Sequence, residues 1–193
     1  MHKLEVPKAL KRGDTVALIS ISGGRAGDED MLYRYEAGKR RLEEIWGLHV
    51  ITTPNALAGS KFLYEHPEAR AEDLMWAMRD KEINGIICMM GGDDSYRVLP
   101  YIDLNVIKNN PKVFMGYSDI TSWMAVFAKA GIRAYYGPNL LTPIAQPVAL
   151  DKYTEEAITK CLFSAEIIGD VSACPEYTNI EWRNVDKDEI EWV

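Results

Sequence analysis

The sequence is poor in the residues that most often carry catalysis or bind metals. It has three histidines and three cysteines in 193 residues, and none of them are spaced as in a zinc site. It also lacks a complete GxGxxG segment, which argues against a dinucleotide-binding site. From these absences we expect neither a metal ion nor an organic cofactor.

Further absences bear on the partners and the compartment of the chain. Acidic residues outnumber basic ones by 29 to 22 without any basic stripe, which argues against nucleic-acid binding. No apolar run approaches the roughly 18 residues of a membrane helix, and the polar residues 1–8 do not resemble a signal peptide. The scattered Cys88, Cys161 and Cys174 fit free thiols in a reducing compartment. We therefore expect a cytoplasmic protein that binds neither nucleic acid nor membrane.

Short apolar runs alternate with longer segments of helical periodicity, which predicts an α/β fold with helices around a parallel sheet. Strands are predicted at 15–21, 49–52, 85–90, 112–117 and 132–136. Helices are predicted at 32–46, 67–80, 95–99, 119–130 and 151–163, with a further short one before residue 110. The run 85–90 is apolar throughout, so we expect it at the centre of the sheet.

The end of the chain differs from the rest. Residues 164–193 contain only short apolar fragments and an acidic stretch at 186–189, with no core of their own. We therefore predict an α/β domain at residues 1–150. Residues 151–193 would then supply a helix, a linker and the start of an incomplete C-terminal domain.

A serine stands where a strand-like run turns into a helix-like run. Residues 114–121 read Phe-Met-Gly-Tyr-Ser-Asp-Ile-Thr. Ser118 on such a turn is either a nucleophile facing the N–H groups of the helix start or, with Asp119 as the other candidate, the N-cap of that helix. Ile120 stands where the elbow of ordinary α/β-hydrolases has glycine, which argues against that superfamily. The residues alone leave both interpretations open.

A glycine pair follows the apolar run at 85–90. The backbone N–H groups at Gly91 and Gly92 either stabilise an oxyanion or simply belong to a tight turn. The adjacent Asp93 and Asp94 are expected to point in different directions and not to form a paired-carboxylate site. No histidine is obviously placed to activate the serine.

These segments, in this order, resemble peptidase family S66, which contains the LD-carboxypeptidases and the microcin C self-immunity peptidases. The resemblance covers about residues 10 to 145. It is carried by segments 10–17, 69–74, 86–95, 99–103, 111–121 and 136–139. The Gly-Tyr-Ser-Asp-Ile-Thr block at 116–121 is the most specific. Segments 91–95 and 136–138 are more similar to the microcin-immunity branch than to the murein-trimming branch.

The resemblance implies a flavodoxin-like N-terminal domain, similar to class I glutamine amidotransferases, followed by a smaller β-rich C-terminal domain. It implies that Ser118 is the nucleophile and that the backbone N–H groups of Gly92 and Asp119 form the oxyanion hole. In the family, a Glu and a His of the C-terminal domain complete the triad, and no residue here matches either of them. We therefore expect little or no peptidase activity from this chain alone.

The resemblance also implies hydrolysis of an amide bond near a C-terminal carboxylate. The substrate is either a peptidyl-nucleotide, such as a processed microcin, or a murein tetrapeptide cut before its terminal D-residue. The expected partners are the C-terminal domain of the same protein and a second copy in a homodimer. A non-catalytic binding module that keeps the fold is the alternative. The residues expected to contact the substrate are Gly91, Asp93, Asp94, Ser95, Tyr117, Tyr136 and Asn139.

Overall fold

Five parallel strands form the centre of the protein, which we describe from a computed structural model over residues 3–177. They are β1 Thr15–Ile19, β2 His49–Thr52, β3 Ile83–Cys88, β4 Val113–Gly116 and β5 Tyr135–Tyr136. The spatial order β2-β1-β3-β4-β5 is the flavodoxin-like order of doubly wound sheets. The predicted fold class and the central position of β3 are therefore confirmed.

The described residues contain six α-helices, of which five contribute to the hydrophobic cores on the two faces of this sheet. The six are α1 Leu32–Trp46, α2 Ser60–Glu65, α3 Pro67–Arg79, α4 Leu104–Lys108, α5 Thr121–Lys129 and α6 Lys152–Leu162. Short 3₁₀ turns lie at Arg25–Gly27, Glu29–Met31, Ser95–Tyr101 and Ser118–Ile120. The sequence missed α2, because six residues are too few to show a helical period. None of the helices within residues 3–177 is both long and apolar enough to cross a membrane.

Alternation along the strands produces two hydrophobic cores. Val16 and Leu18 of β1 belong to the core that includes residues of α1 and α6. Ala17 and Ile19 belong to the core on the other face, formed with α3, α4 and α5. Both faces of β1 are thus buried, as expected of a parallel strand inside a doubly wound sheet.

The last helix packs on the sheet domain. Ile158 and Leu162 of α6 belong to the same core as α1, and the backbone N–H of Leu10 donates to the carbonyl of Leu162 at 2.7 Å. The division of the chain near residue 150 stays a prediction, although α6 shares the core of the first unit. The part of the predicted C-terminal domain at 178–193 lies outside the described residues.

The fifth strand is shorter than predicted. Ile132 forms an isolated parallel bridge with Glu5, and the backbone N–H of Arg133 donates to the carbonyl of Glu5. The N-terminal segment therefore takes up the backbone groups at the start of the predicted strand. Of the predicted strand 132–136, Tyr135 and Tyr136 are the residues that pair with β4.

Candidate active site

Three loops meet at the carboxyl end of the sheet, as they must when parallel strands end side by side. The loop after β1 bonds directly to the loop after β3, because the backbone N–H of Gly23 donates to the carbonyl of Gly91 at 3.1 Å. The loop after β4 carries Ser118 and lies against Gly91. The strand order reverses between β1 and β3, which is the position where open α/β sheets bind ligands.

Ser118 has a backbone conformation that non-glycine residues rarely adopt. Its φ is 65°, in the left-handed region, and the residue is exposed. An N-cap residue normally has extended φ and ψ, and neither Ser118 nor Asp119 caps the helix start through its side chain. The N-cap interpretation is therefore wrong. The turn instead projects the serine hydroxyl from the carboxyl end of the sheet, with strain of the kind that clusters at functional sites.

Gly91 is a glycine because Ser118 comes so close to it. A Cβ built on Gly91 would lie 2.8 Å from the Cβ of Ser118 and 3.1 Å from its Oγ. Real Cβ atoms essentially never approach another heavy atom within 3.0 Å, so any side chain at this position would push the serine away. The glycine at position 91 is thus explained by close packing against Ser118 and not by a turn alone.

Two backbone N–H groups beside the serine lack protein acceptors. Within residues 3–177, no protein oxygen accepts a hydrogen bond from the N–H of Gly92 or from that of Asp119. Gly92 is also exposed. Free donors next to an exposed serine are what a developing oxyanion requires.

The carboxylate of Asp119 joins the three loops. Its Oδ2 accepts hydrogen bonds from the Oγ of Ser22 at 2.5 Å and from the backbone N–H of Ser95 at 2.8 Å. We call Asp119, Ser22 and Ser95 the Asp119 cluster. The hydroxyl of Ser95 bonds to the carbonyl of Asp119 at 3.3 Å, so Ser95 is held at two points. These bonds also explain why this carboxylate does not cap the helix.

A buried ion pair is bonded to the same loops. The guanidinium of Arg70 on α3 is 1% exposed and binds Asp94 through two parallel bonds of 2.9 Å. Its Nη1 also donates to the carbonyl of Ser22 at 3.2 Å. Asp94 thus balances the charge of Arg70 inside the protein, while its neighbour Asp93 is exposed. The expectation that the two aspartates point in different directions fits this arrangement.

Asn139 fixes the backbone immediately before the serine. Its side chain is 1% exposed and accepts a hydrogen bond from the backbone N–H of Tyr117 at 3.2 Å, while its Nδ2 faces the carbonyl of Tyr117 at 3.5 Å. Ser95 is likewise fully buried. The polar groups of Asn139 and Ser95 are therefore already bonded within the protein.

The two tyrosines expected at the substrate lie together at the rim. Tyr117 is half-buried, and its hydroxyl bonds to Thr142 at 2.9 Å. Its ring meets that of Tyr136 edge to face, with centroids 6.4 Å apart. Tyr136 is 65% exposed and offers an aromatic surface to solvent.

No candidate general base within residues 3–177 forms a hydrogen bond with the hydroxyl of Ser118. Among residues 3–177, no histidine or carboxylate bonds to the Oγ of Ser118. His49 begins β2 and so lies at the opposite end of the sheet. His66 bonds to Glu68 at 2.8 Å and packs against the ring of Phe62, with centroids 4.4 Å apart.

The described residues also provide no obvious alternative nucleophile or metal site. Cys88 is fully buried, as predicted, and burial raises the pKa of its thiol far above the ordinary value. A thiol held protonated in this way is a poor nucleophile. No group of three or more His, Cys, Asp or Glu side chains is placed to hold a metal ion in the part of the chain that the structure describes.

Sequence reasoning missed Ser22 and Arg70 as members of the site. No pattern in the sequence indicated Ser22, because its contacts are with residues far along the chain. Arg70 had a weak signal, since it lies between Ala69 and Ala71 on the buried side of α3, where Asp73 is the other charged residue. An arginine in that setting needs a buried partner, which a single sequence does not identify.

Comparison with known proteins assigns this chain to a family. The model of the LD-carboxypeptidase N-terminal domain, of peptidase family S66, matches residues 16–137. The Bacillus subtilis protein named "Putative carboxypeptidase YocD" is 31% identical over 177 residues, which are 90% of this chain and 52% of that protein. The "Probable murein peptide carboxypeptidase" of the same organism is 33% identical over 142 residues, or 72% of this chain and 42% of that one.

A solved structure agrees with these matches. The MccF-like protein from Streptococcus pneumoniae, crystallised in complex with AMP, superposes with a TM-score of 0.74 at 33% identity. The superposition covers 80% of this chain and 46% of that chain. The chain thus spans about half the length of the relatives it matches.

Proposed function

Because the chain belongs to peptidase family S66, we propose that it forms the nucleophile-bearing part of a serine carboxypeptidase that cleaves an amide bond near a C-terminus. The observation that carries this proposal is the left-handed turn at Ser118. It presents an exposed hydroxyl beside Gly91 and beside two N–H groups that find no protein acceptor within residues 3–177. An N-cap serine would need none of these features.

In the proposed reaction, the Oγ of Ser118 attacks the carbonyl carbon of the scissile amide. The N–H groups of Gly92 and Asp119 bind the oxyanion that forms. A histidine supported by a glutamate, both from outside residues 3–177, takes the serine proton and returns it to the leaving amine as the C–N bond breaks. Water then hydrolyses the acyl-serine and restores the hydroxyl.

We propose a peptidyl-nucleotide as the first substrate class to test. A structural relative was crystallised in complex with AMP, and the exposed ring of Tyr136 offers a surface on which a base could stack. The second class is a murein tetrapeptide, which the name of a Bacillus subtilis relative supports. Asp93 and Tyr136 remain the exposed candidates for substrate contact.

The other predicted substrate-binding residues take supporting roles in this proposal. Ser95 and Asn139 are buried and bonded to backbone groups, so neither reaches a substrate without opening the site. Asp94 is committed to Arg70. Gly91 contributes by its lack of a side chain, and Tyr117 by holding the turn through Thr142.

The wider setting is also part of the proposal. We expect residues 1–193 alone to have little or no peptidase activity, because a serine without a general base is a poor nucleophile at neutral pH. We further propose a C-terminal domain as the partner that supplies the base, a homodimer, and a cytoplasmic location. The buried thiol of Cys88 is compatible with a reducing compartment.

The experiment compares the complete product of the gene with the 193-residue chain, each treated with a fluorophosphonate probe and analysed by mass spectrometry. We expect the complete product to be labelled at Ser118 and the 193-residue chain to be labelled far more slowly. The complete product should also release the terminal D-residue of a murein tetrapeptide or cleave a peptidyl-adenylate analogue. Which of the two it cleaves decides the substrate class.

The control is Ser118→Ala, which removes the hydroxyl and leaves the backbone free to keep its turn. It should abolish both labelling and hydrolysis. Hydrolysis that survives this substitution would contradict the assignment of the nucleophile. A complete product that neither labels nor hydrolyses would instead favour a non-catalytic binding module.

A further inference from the structure

We propose that the carboxylate of Asp119 is a positioning residue, which holds the loops after β1 and β3 in place so that the N–H of Gly92 faces Ser118. The proposal rests on the proposed function, because it concerns the geometry of that oxyanion site. It is separate from the use of the Asp119 backbone N–H, which needs no particular side chain. The side chain acts through its two bonded partners.

The first partner, Ser22, determines where Gly92 can lie. The Oγ of Ser22 is 2.5 Å from Oδ2 of Asp119, and the residue is 1% exposed. A Cβ built on Gly92 would lie 2.5 Å from that same Oγ and 2.9 Å from the backbone nitrogen of Gly23. Gly92 therefore rests directly on Ser22, and a shift of Ser22 would move the N–H that the oxyanion needs.

The second partner, Ser95, fixes the far end of the same loop. Gly91 is held at one end of the segment 91–95 by the N–H of Gly23. Ser95 is held at the other end by the carboxylate of Asp119. A five-residue segment tied at both ends has little freedom to turn its central N–H groups away from the serine.

The ion pair of Arg70 and Asp94 also bonds to these residues. Asp94 belongs to the segment 91–95, and Arg70 also bonds to the carbonyl of Ser22. Ser22 is thus bonded through its hydroxyl by Asp119 and through its carbonyl by Arg70. The loop positions depend on both charges, but only Asp119 adjoins the nucleophile.

A second aspartate provides a matched control. Asp73 on α3 accepts a hydroxyl bond from Thr53 at 2.7 Å and backbone N–H bonds from Asn55 at 3.1 Å. We call Asp73, Thr53 and Asn55 the Asp73 cluster. Its loop follows β2, which is an edge strand and lies three positions from β4. The hydroxyl and backbone N–H donors match those at Asp119, with one additional bond at 2.9 Å from the side-chain amide of Asn55, while the nucleophile is absent.

The first measurement compares the steady-state kinetics of Asp119→Ala and Asp73→Ala in the complete product of the gene. We expect Asp119→Ala to lower kcat by about 100-fold with KM nearly unchanged, since small displacements of catalytic groups cost about this much. Asp119→Asn, which can keep an oxygen toward Ser22 and Ser95, should recover part of the loss. Asp73→Ala should lower the thermal midpoint with kcat unchanged.

The second measurement is hydrogen exchange, which does not depend on any activity. Removing the acceptor should accelerate exchange of the Ser95 N–H by about tenfold or more in Asp119→Ala. Asp73→Ala should accelerate exchange of the Asn55 N–H and leave that of Ser95 unchanged. Unchanged exchange at Ser95 in Asp119→Ala would overturn the inference even if the protein showed no hydrolysis.

The two proposals fail in different ways. If Ser118→Ala keeps full activity, or the wild-type protein is inactive, the proposed function fails, while the exchange data still decide the positioning. If the wild-type protein is active but Asp119→Ala affects only stability, as Asp73→Ala does, the inference fails and the proposed function stands.

Discussion

The Asp119 cluster and the Asp73 cluster bind their loops with similar hydrogen bonds at the same end of one sheet. Each carboxylate accepts a hydroxyl and a backbone N–H. Asp73 joins one loop to its own helix, whereas Asp119 joins the loops after two strands to the turn after a third. The hydrogen bonds alone therefore do not distinguish a stabilising carboxylate from a positioning one. The distinction comes from what lies beside each carboxylate.

Only the Asp119 cluster adjoins a strained, exposed serine. Ser118 has a φ of 65°, in the left-handed region. Among the non-glycine residues in 3–177, only Ser118 and Val148 have a positive φ. Such a backbone conformation costs about 1–3 kcal/mol, and it persists only when the surrounding contacts hold the residue in place. Asn139, Gly91 and Asp119 supply those surroundings. Substitutions at and around each cluster therefore test this contrast.

The largest effect is expected from adding one methyl group at Gly91. In Gly91→Ala the new Cβ would lie 2.8 Å from that of Ser118, so the serine or the loop must shift. We expect kcat/KM of the complete gene product to fall by about 100-fold or more. Steady-state hydrolysis and the rate of fluorophosphonate labelling both measure this loss.

Gly131→Ala is the control for this substitution. Gly131 has a φ of 87°, and a Cβ there would meet no atom within 4 Å. It follows α5 and is remote from the loop carrying Ser118. The change should cost about 1 kcal/mol of unfolding free energy through backbone strain, with kcat/KM unchanged. Equal losses of activity in the two variants would show that the close approach at Gly91 has no special role.

A smaller effect is expected when one hydroxyl is removed from each cluster. Ser22→Ala and Thr53→Val each delete the hydroxyl that bonds to a carboxylate. Each should lower the unfolding free energy by about 1–2 kcal/mol, because a buried acceptor loses a partner. Ser22→Ala should in addition lower kcat by about tenfold, since Ser95 still holds Asp119.

Chemical denaturation and steady-state kinetics on the same preparations separate the two outcomes. A fall in kcat for Thr53→Val as large as that for Ser22→Ala would mean that activity follows overall stability. The contrast between the clusters would then disappear. Equal losses of stability, with a fall in kcat for Ser22→Ala alone, would strengthen the contrast between the clusters.

Periodicity and strand-end punctuation were enough to predict most of the fold. The apolar run at 85–90 identified the central strand, and Gly47 marked the end of α1, where its φ is 63°. The helix Ser60–Glu65 was not predicted, and β5 was predicted to be longer than it is. Their boundaries depend on tertiary contacts, such as the pairing of Glu5 with Ile132.

The candidate site could be predicted only in part. The strand-to-helix turn and the glycine pair pointed to Ser118 and Gly92 directly, because both features are local. The hydrogen bonds of the Asp119 side chain were not visible, and the sequence equally allowed it to cap the helix. Its partners Ser22 and Ser95 lie 97 and 24 residues away along the chain. Contacts at such separations leave no periodic trace in a single sequence.

The smallest effect concerns the pH dependence of stability at Asp73. Burial of the carboxyl raises the pKa of Asp73 above its ordinary value of 3.8, despite the hydrogen bonds from Thr53 and Asn55. The native state therefore binds more protons than the unfolded chain from about pH 3.8 up to the raised pKa. Its contribution to stability is largest below that window and declines as the pH rises through it. Asp73→Asn has no such titration, so urea unfolding of wild type and variant at several pH values should show their stability difference falling as pH rises. A difference that stays flat would mean that folding does not change the pKa of Asp73, and a difference that rises would mean that folding lowers it.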